Sequence, residues 1–137
     1  MRPSLPRVVL VGAGGIGHPA LWALAQARDI ALTVIDDDRV EASNVPRLAF
    51  ARDDEVGARK VDVAARLCAE LGRDARAYDD RFVAARVLPE TARELLAGAA
   101  VVVEGADNFP TKFLVADACG LARTPVVHGA AVRWLGT

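Results

Sequence analysis

The most informative segment of this chain reads Val8-Val9-Leu10-Val11-Gly12-Ala13-Gly14-Gly15-Ile16-Gly17. Its four consecutive apolar, mostly β-branched residues predict a buried strand, and the glycines after them predict a tight turn into a helix over residues 16–27. Glycines let the backbone approach a pyrophosphate, while free N–H groups and the positive end of the helix favour the anion. The segment therefore predicts a nucleotide phosphate site, but the spacing Gly12-x-Gly14-x-x-Gly17 alone does not identify the nucleotide.

The composition predicts one soluble domain over residues 1–137. A hydrophobic content of 53% and a mean hydropathy of +0.22 are enough for one core. We expect a cytoplasmic protein, because no window has the ~18 uncharged apolar residues of a membrane span and no signal peptide is recognisable. The net charge of −1, with interspersed charges, argues against nucleic acid. Cys68 and Cys119 are expected to be buried thiols, and they cannot form a zinc site.

Strands and helices alternate along the rest of the chain. The pattern predicts further strands at 31–35, 75–78, 100–104 and 126–128, and helices over 58–71, 89–97 and 110–122. Residues 39–56 form a long irregular connection, which in a compact domain is usually functional. Such alternation implies right-handed crossovers and a parallel sheet covered on both faces. We therefore expect a three-layer, doubly wound, Rossmann-like α/β fold with strand order 3-2-1-4-5.

Asp36, at the end of the second predicted strand, is placed to bind a ribose. In open parallel sheets, ligands bind beyond the carboxyl ends of the strands, near the point where the strand order reverses. Asp36 follows Gly12 by 24 positions, and an acid there accepts hydrogen bonds from both ribose hydroxyls. This position fits an NAD site and an ATP site equally well.

Three side chains in and after the long connection distinguish an ATP site from an NAD site. Asn44, Arg47 and Lys60 offer an amide, a guanidinium and an ammonium to a ligand anchored at Asp36. A triphosphate needs several cationic donors, whereas the glycine turn and helix end largely satisfy the pyrophosphate of NAD. Asp107, after the fourth strand, adds a carboxylate, which Mg²⁺ prefers as a ligand. These residues favour Mg-ATP.

Each of these residues also has a structural interpretation. Arg47 and Lys60 can be solvated charges, and Asp107 can be the N-cap of the following helix. His18, in the first turn after the glycines, can touch phosphate, cap the helix or lie at the surface. Packing, rather than stacking on a ligand, is expected of the tryptophans, Trp22 and Trp134.

Six short segments spread over the chain occur in an order and spacing typical of one family. They are Gly12-Ala-Gly-Gly-Ile-Gly17, Asp36-Asp-Asp38, Ser43-Asn44-Val45-Pro46-Arg47, Val56-Gly57-Ala58-Arg59-Lys60, Ala106-Asp107-Asn108 and Gly129-Ala130-Ala131-Val132-Arg133. Together they resemble the adenylating enzymes of the ThiF/MoeB/HesA group, relatives of the ubiquitin-activating enzymes. The resemblance covers the chain from about Val8 to its last residue.

The resemblance implies a role for each matching residue. By this resemblance, Asp36 binds the ribose, and Asn44, Arg47 and Lys60 bind the phosphates. Arg47, Lys60 and Asp107 are the expected catalytic residues, and Asp107 also holds Mg²⁺. The full set expected to bind the nucleotide is Gly12, Gly14, Gly15, Gly17, Asp36, Asn44, Arg47, Lys60, Asp107 and Asn108.

The resemblance also implies the reaction and the partners. A carboxylate, commonly the C-terminal glycine of a ubiquitin-like sulfur carrier, attacks the α-phosphate of ATP to form an acyl-adenylate and release pyrophosphate. The carboxylate is already a nucleophile, so the protein needs only to position the reactants and neutralise charge. A homodimer is expected, because the family pairs through this domain and an apolar sheet edge needs cover.

Among the departures of the chain from the family, two concern its C-terminal end and the surroundings of Arg47. Relatives continue beyond the Gly129-Ala-Ala motif into a region with zinc-binding cysteine pairs, whereas this sequence stops at Thr137, so we expect it to be truncated. Pro46 and Leu48 flank Arg47 where the family usually has polar residues. Two alternatives to an adenylation domain therefore stay open: an NAD-dependent oxidoreductase domain, and a non-catalytic nucleotide- or partner-binding remnant.

Overall fold

Five parallel strands form the central sheet. They are β1 (Arg7–Val11), β2 (Ala31–Ile35), β3 (Arg81–Val83), β4 (Ala99–Glu104) and β5 (Val126–His128). Their order is β3-β2-β1-β4-β5, and every neighbouring pair is parallel. The computed structural model describes residues 3–48, 51–132 and 135–137. The predicted Rossmann-like α/β fold and its strand order 3-2-1-4-5 are confirmed.

In the described part of the chain, five α-helices and a single 3₁₀ turn (Asp53–Glu55) connect the strands, and a short hairpin follows β5. The helices are α1 (Gly17–Ala25), α2 (Lys60–Glu70), α3 (Ala75–Tyr78), α4 (Ala92–Leu95) and α5 (Phe109–Ala122), and the hairpin pairs β6 (Ala131–Val132) with β7 (Leu135–Gly136). The predicted helices over 16–27, 58–71 and 110–122 agree with α1, α2 and α5 to within two residues. The helix predicted over 89–97 is shorter. Within the described ranges, no helix has the length and apolar character to cross a membrane.

The prediction of a strand at 75–78 is wrong. Asp74 caps a helical turn there, because its carboxylate accepts hydrogen bonds from the N–H groups of Arg76 and Ala77, at 2.9 and 3.3 Å. Asp79 then ends the turn in the left-handed conformation, with φ of 55°. The third strand begins only at Arg81 and has three residues.

The sheet buries side chains on both faces, which is why the chain forms three layers. Alternate residues of β1 point to opposite faces, as the period of a strand requires. One face packs against α1 and α2 through Val8, Leu10, Leu32, Val34, Leu21, Ala25, Val61, Ala64, Leu67 and Cys68. The other packs against α4 and α5 through Val9, Val11, Ile35, Val102, Ala92, Leu96, Val115 and Cys119.

Both cysteines are buried free thiols, as predicted. Burial raises the pKa of Cys68 to about 11 and also raises that of Cys119. Burial therefore favours the protonated thiol over the nucleophilic thiolate at both positions.

Candidate functional site

The glycine turn between β1 and α1 is closed by contacts that only glycine permits. Gly12 has φ of +93°, and a Cβ atom there would lie 3.0 Å from the N atom of Ala106. A Cβ atom on Gly17 would lie 1.9 Å from the carbonyl oxygen of Gly12. The N–H groups of Gly14 and Gly15 donate to no acceptor in the described ranges, so they are available to an anion.

Asp36 follows β2 and is fixed beside this turn. Its Oδ2 accepts a hydrogen bond from the N–H of Ala13, and its Oδ1 accepts one from the N–H of Asp38, each at 2.8 Å. Burial raises the pKa of Asp36, while these hydrogen bonds and the nearby charge of Lys60 act in the opposite direction. A carboxylate has about four acceptor positions. Two amides therefore orient the group and leave positions for a pair of hydroxyls.

The long connection after β2 brings Asn44, Arg47 and Lys60 to the same side of the sheet. The Arg47 side chain is exposed and forms no ion pair or hydrogen bond within the described part of the chain. Lys60 begins α2, its side chain is 12% exposed, and its Nζ lies 3.5 Å from Oδ2 of Asp38. Oδ1 of Asn44 accepts from the N–H of Glu41 at 3.3 Å, which leaves the amide N–H₂ group for a ligand.

Asp107 is exposed in the loop between β4 and α5. The residue that caps α5 is Asn108, whose Oδ1 accepts from the N–H of Thr111 at 2.9 Å. The interpretation of Asp107 as an N-cap is therefore wrong. Its carboxylate has no hydrogen bond to any described residue, so it can act as a ligand to a metal ion.

These segments surround one cleft of about 1280 Å³ at the carboxyl ends of the strands. Nine of the ten predicted nucleotide-binding residues line it. Gly17 is the exception, because it packs against Gly12 and shapes the turn from behind. A smaller cleft of about 580 Å³, at the opposite edge of the sheet, contains none of the ten.

A polar cluster around the buried Glu104, beside the cleft, is absent from the sequence prediction. Glu104 is fully buried and contacts Lys112 and His128, with its Oε2 at 3.0 Å from Nζ and 2.9 Å from Nδ1. Lys112 also lines the cleft. The available signal was an acid at the end of an otherwise apolar strand, where burial demands a partner.

His18 and the tryptophans differ from the nucleotide-binding set. His18 is fully buried, so a surface or phosphate-binding position for it is wrong. Burial and the charges of Lys60 and Arg66 lower its pKa to about 4, against a smaller opposing effect of Glu55. Trp22 is 43% exposed on α1 and does not line the cleft. Trp134, like Arg133 of the last motif, lies outside the described residues.

The fold and this cleft define a class of protein. The model of the ThiF family matches residues 4–137, and the chain belongs to that family. It is 43% identical to the SAMP-activating enzyme E1 of Haloferax volcanii over 95% of this chain, and 39% identical to the sulfur carrier protein adenylyltransferase of Thermus thermophilus over 94%. The chain spans about half the length of these relatives, 47% and 46% respectively.

Solved structures agree with this assignment. The tRNA N6-threonylcarbamoyladenosine dehydratase TcdA of E. coli, determined in complex with AMP, superposes with a TM-score of 0.81 at 26% identity, over 93% of this chain and 53% of that chain. The complex of TcdA with ATP gives a TM-score of 0.80. These structures show that relatives with this fold bind adenine nucleotides.

Proposed function

We propose that the protein activates a carboxylate by adenylation with Mg-ATP. The observation that carries the proposal is the convergence, in one cleft, of an oriented acid, free glycine amides and several charged side chains, of which Arg47 and Asp107 have no ion pair within the described residues. Asp36 would accept the ribose hydroxyls, and the amides of Gly14 and Gly15 would bind phosphate. Arg47 and Lys60 would neutralise the rest of the triphosphate.

The reaction needs positioning more than acid or base chemistry. An oxygen of the substrate carboxylate attacks the α-phosphorus, the bond from that phosphorus to the oxygen bridging the β-phosphate breaks, and pyrophosphate leaves. Negative charge accumulates where two anions meet, and it is this charge that Arg47 and Lys60 stabilise. Because the carboxylate is already ionised, no residue has to remove a proton.

The exposed carboxylate of Asp107 fits the requirements of Mg²⁺. It is a hard oxygen ligand in the cleft, and no described residue occupies it by hydrogen bonding. Asn108 is less suited to this role, because its Oδ1 caps α5. Bound there, Mg²⁺ would neutralise phosphate charge during the displacement.

A ubiquitin-like sulfur carrier is the substrate that the relatives favour. Two of them are named for activating SAMP and for adenylating a sulfur carrier protein. We therefore propose the C-terminal carboxylate of such a carrier as the group activated by this chain. An NAD-dependent oxidoreductase is the second candidate, but an NAD site would give no function to Arg47, Lys60 and Asp107.

Pyrophosphate exchange into ATP, in the presence of a ubiquitin-like sulfur carrier with a C-terminal glycine, tests the proposal. We expect exchange by the wild-type protein and a loss of about 100-fold or more in Asp107→Ala, because the charge of the transition state is then poorly stabilised. Asp117→Ala, which removes an exposed acid of α5 outside the cleft, should exchange normally.

Calorimetry with Mg-ATP and with NAD separates the two candidates. Binding of Mg-ATP without NAD supports adenylation, whereas tight binding of NAD alone would identify an oxidoreductase domain. Binding of Mg-ATP without any exchange would identify a non-catalytic remnant. Normal exchange by Asp107→Ala would show that the metal role belongs to another residue.

A further inference from the structure

Glu104, at the end of β4, connects three separate segments through one buried carboxylate. Its Oε1 accepts a hydrogen bond from the N–H of Ala106 at 2.6 Å. Its Oε2 accepts from Nζ of Lys112 at 3.0 Å and contacts Nδ1 of His128 at 2.9 Å. A carboxylate can only accept, so Nδ1 carries the hydrogen. The loop after β4, the first half of α5 and the end of β5 are thereby linked.

Gly129 is held on two sides by the same cluster. Its carbonyl oxygen accepts from Nζ of Lys112 at 2.8 Å, and its N–H donates to the carbonyl oxygen of Glu104 at 2.8 Å. A Cβ atom on Gly129 would lie 2.8 Å from Cγ2 of Ile16, so this backbone also packs directly behind the glycine turn. Ala130 and Ala131, which follow, line the cleft.

Stability alone is a poor explanation for this cluster. The Glu104 side chain is completely buried and that of Lys112 is 18% exposed, so both groups have lost most of their hydration. Replacing a buried ion pair with well-packed apolar side chains is often neutral or stabilising. Hydrogen bonds differ from apolar contacts in that they fix direction as well as distance. The cluster therefore adds geometric definition more than stability.

The position of the cluster indicates which parts of the cleft it would hold in place. Asp107 lies in the loop that Glu104 holds through Ala106, and the Gly129–Ala131 segment forms a different part of the cleft wall. Glu104 and His128 do not themselves line the cleft, and the Lys112 ammonium is held by two acceptors. Glu104 and His128 can affect a reaction only through the segments they hold, and two of the three hydrogens of the Lys112 ammonium are donated to the same segments.

We propose that Glu104, Lys112 and His128 are positioning residues for the adenylation step. The cluster keeps the Asp107 loop at a fixed separation from the Gly129–Ala131 wall, so that the substrate carboxylate meets the α-phosphate in line. The inference rests on the proposed function. According to this inference, the cluster affects kcat, whereas the affinity for the nucleotide depends on Asp36, Arg47 and Lys60.

Steady-state pyrophosphate exchange with the carrier, combined with calorimetry of Mg-ATP, tests the inference on Glu104→Gln, Lys112→Met and the double variant. We expect kcat to fall by about 10- to 100-fold in each single variant, since small misplacements of reacting groups have effects of this size. The Kd for ATP should stay within about twofold of the wild-type value, because the nucleotide contacts are unchanged. The double variant should lose no more than the worse single variant, because the residues act as one unit.

Two further variants separate positioning from general damage. Lys112→Arg keeps a cation able to reach both acceptors and should recover most of the lost kcat. Asp117→Asn makes the same change from carboxylate to amide as Glu104→Gln at an exposed site on α5, and should match the wild type. Circular dichroism and ATP binding report whether each variant folds.

The outcomes distinguish this inference from the proposed function. Wild-type exchange together with unchanged kcat in Glu104→Gln and Lys112→Met overturns the inference alone. A parallel loss of ATP affinity and kcat also overturns it, since the cluster would then support the nucleotide site as a whole. Absence of exchange by the wild-type protein overturns the proposed function, and the inference with it.

Discussion

His18 illustrates how burial changes the chemistry of a single residue. It lies in the first turn of α1 with no exposed surface, and its pKa falls to about 4 from an ordinary value of 6.5. The unfolded chain keeps the ordinary value, so between pH 6.5 and 4 the unfolded state binds more protons than the native state. Stability is therefore lost as the pH falls through this window.

Removal of the imidazole should flatten this pH dependence. Between pH 7.5 and 5, the free energy of unfolding of the wild-type protein should fall by about 2 kcal/mol more than that of His18→Gln, a variant that does not titrate. Urea denaturation at the two pH values measures the difference. Equal losses in the wild type and His18→Gln would contradict the prediction.

For single residues, the sequence was sufficient to predict which side chains at the strand ends lie in the cleft. Asp36 directly follows β2, Asp107 lies three residues after the end of β4, and parallel strands bring their carboxyl ends to one edge of the sheet. Glu104 could not be predicted in the same way. Its partners Lys112 and His128 are 8 and 24 positions away, and only the packing of α5 and β5 decides which way a strand-end acid points.

Among the elements, the segment from Arg73 to Val83 is the one that sequence patterns misplace. Alternating small and large residues at 75–78 favour a strand weakly, but the N-cap Asp74 and the left-handed Asp79 impose a helical turn. A buried ion pair between residues on either side of α3 holds this helical turn in place. The guanidinium of Arg73 binds both carboxylate oxygens of Asp80, at 2.6 and 2.9 Å, and both side chains are completely buried.

Replacement of Arg73 should therefore strongly lower the free energy of unfolding. The guanidinium also donates to the carbonyl oxygens of Ala27 and Ile30 and stacks on Tyr78, 4.3 Å from the ring centroid. We expect Arg73→Met to destabilise the protein by about 3–5 kcal/mol, because the carboxylate of Asp80 stays buried without its partner. Chemical denaturation measures this loss of free energy.

Two further variants test whether the loss of stability in Arg73→Met comes from the buried ion pair. Combining Arg73→Met with Asp80→Asn should recover part of the loss, since no buried charge remains. Arg76→Met removes an exposed guanidinium from α3 and should change stability by no more than about 0.5 kcal/mol. A loss in Arg73→Met no larger than in Arg76→Met would show that the buried pair does not anchor the turn.

For the whole molecule, the cleft exists only when distant segments meet. Residues 12–15, 36–60 and 105–108 belong to three βα units, and the sheet order places them side by side. The repeated alternation of strand and helix was sufficient to predict that arrangement. The homodimer stays a prediction; exposed apolar side chains of α5, β5 and β7 are available for such a contact, namely Phe109, Phe113, Leu121, Val127 and Leu135.

A ligand that spans these segments should stabilise the entire fold. If Mg-ATP binds the native state alone, a concentration of 100 times its Kd adds about 2.7 kcal/mol to the free energy of unfolding. Thermal denaturation should then show a midpoint raised by several degrees with Mg-ATP, and unchanged with NAD at the same concentration.

The matched variants decide whether the effect comes from the cleft. Asp36→Ala removes the carboxylate proposed to bind the ribose, so the shift should disappear. Asp54→Ala removes an exposed acid outside the cleft and should leave the shift intact. An equal shift in both variants would mean that ATP binds elsewhere on the protein, because a nucleotide held at the ends of β1, β2 and β4 should lose affinity when the carboxylate oriented toward its ribose is removed.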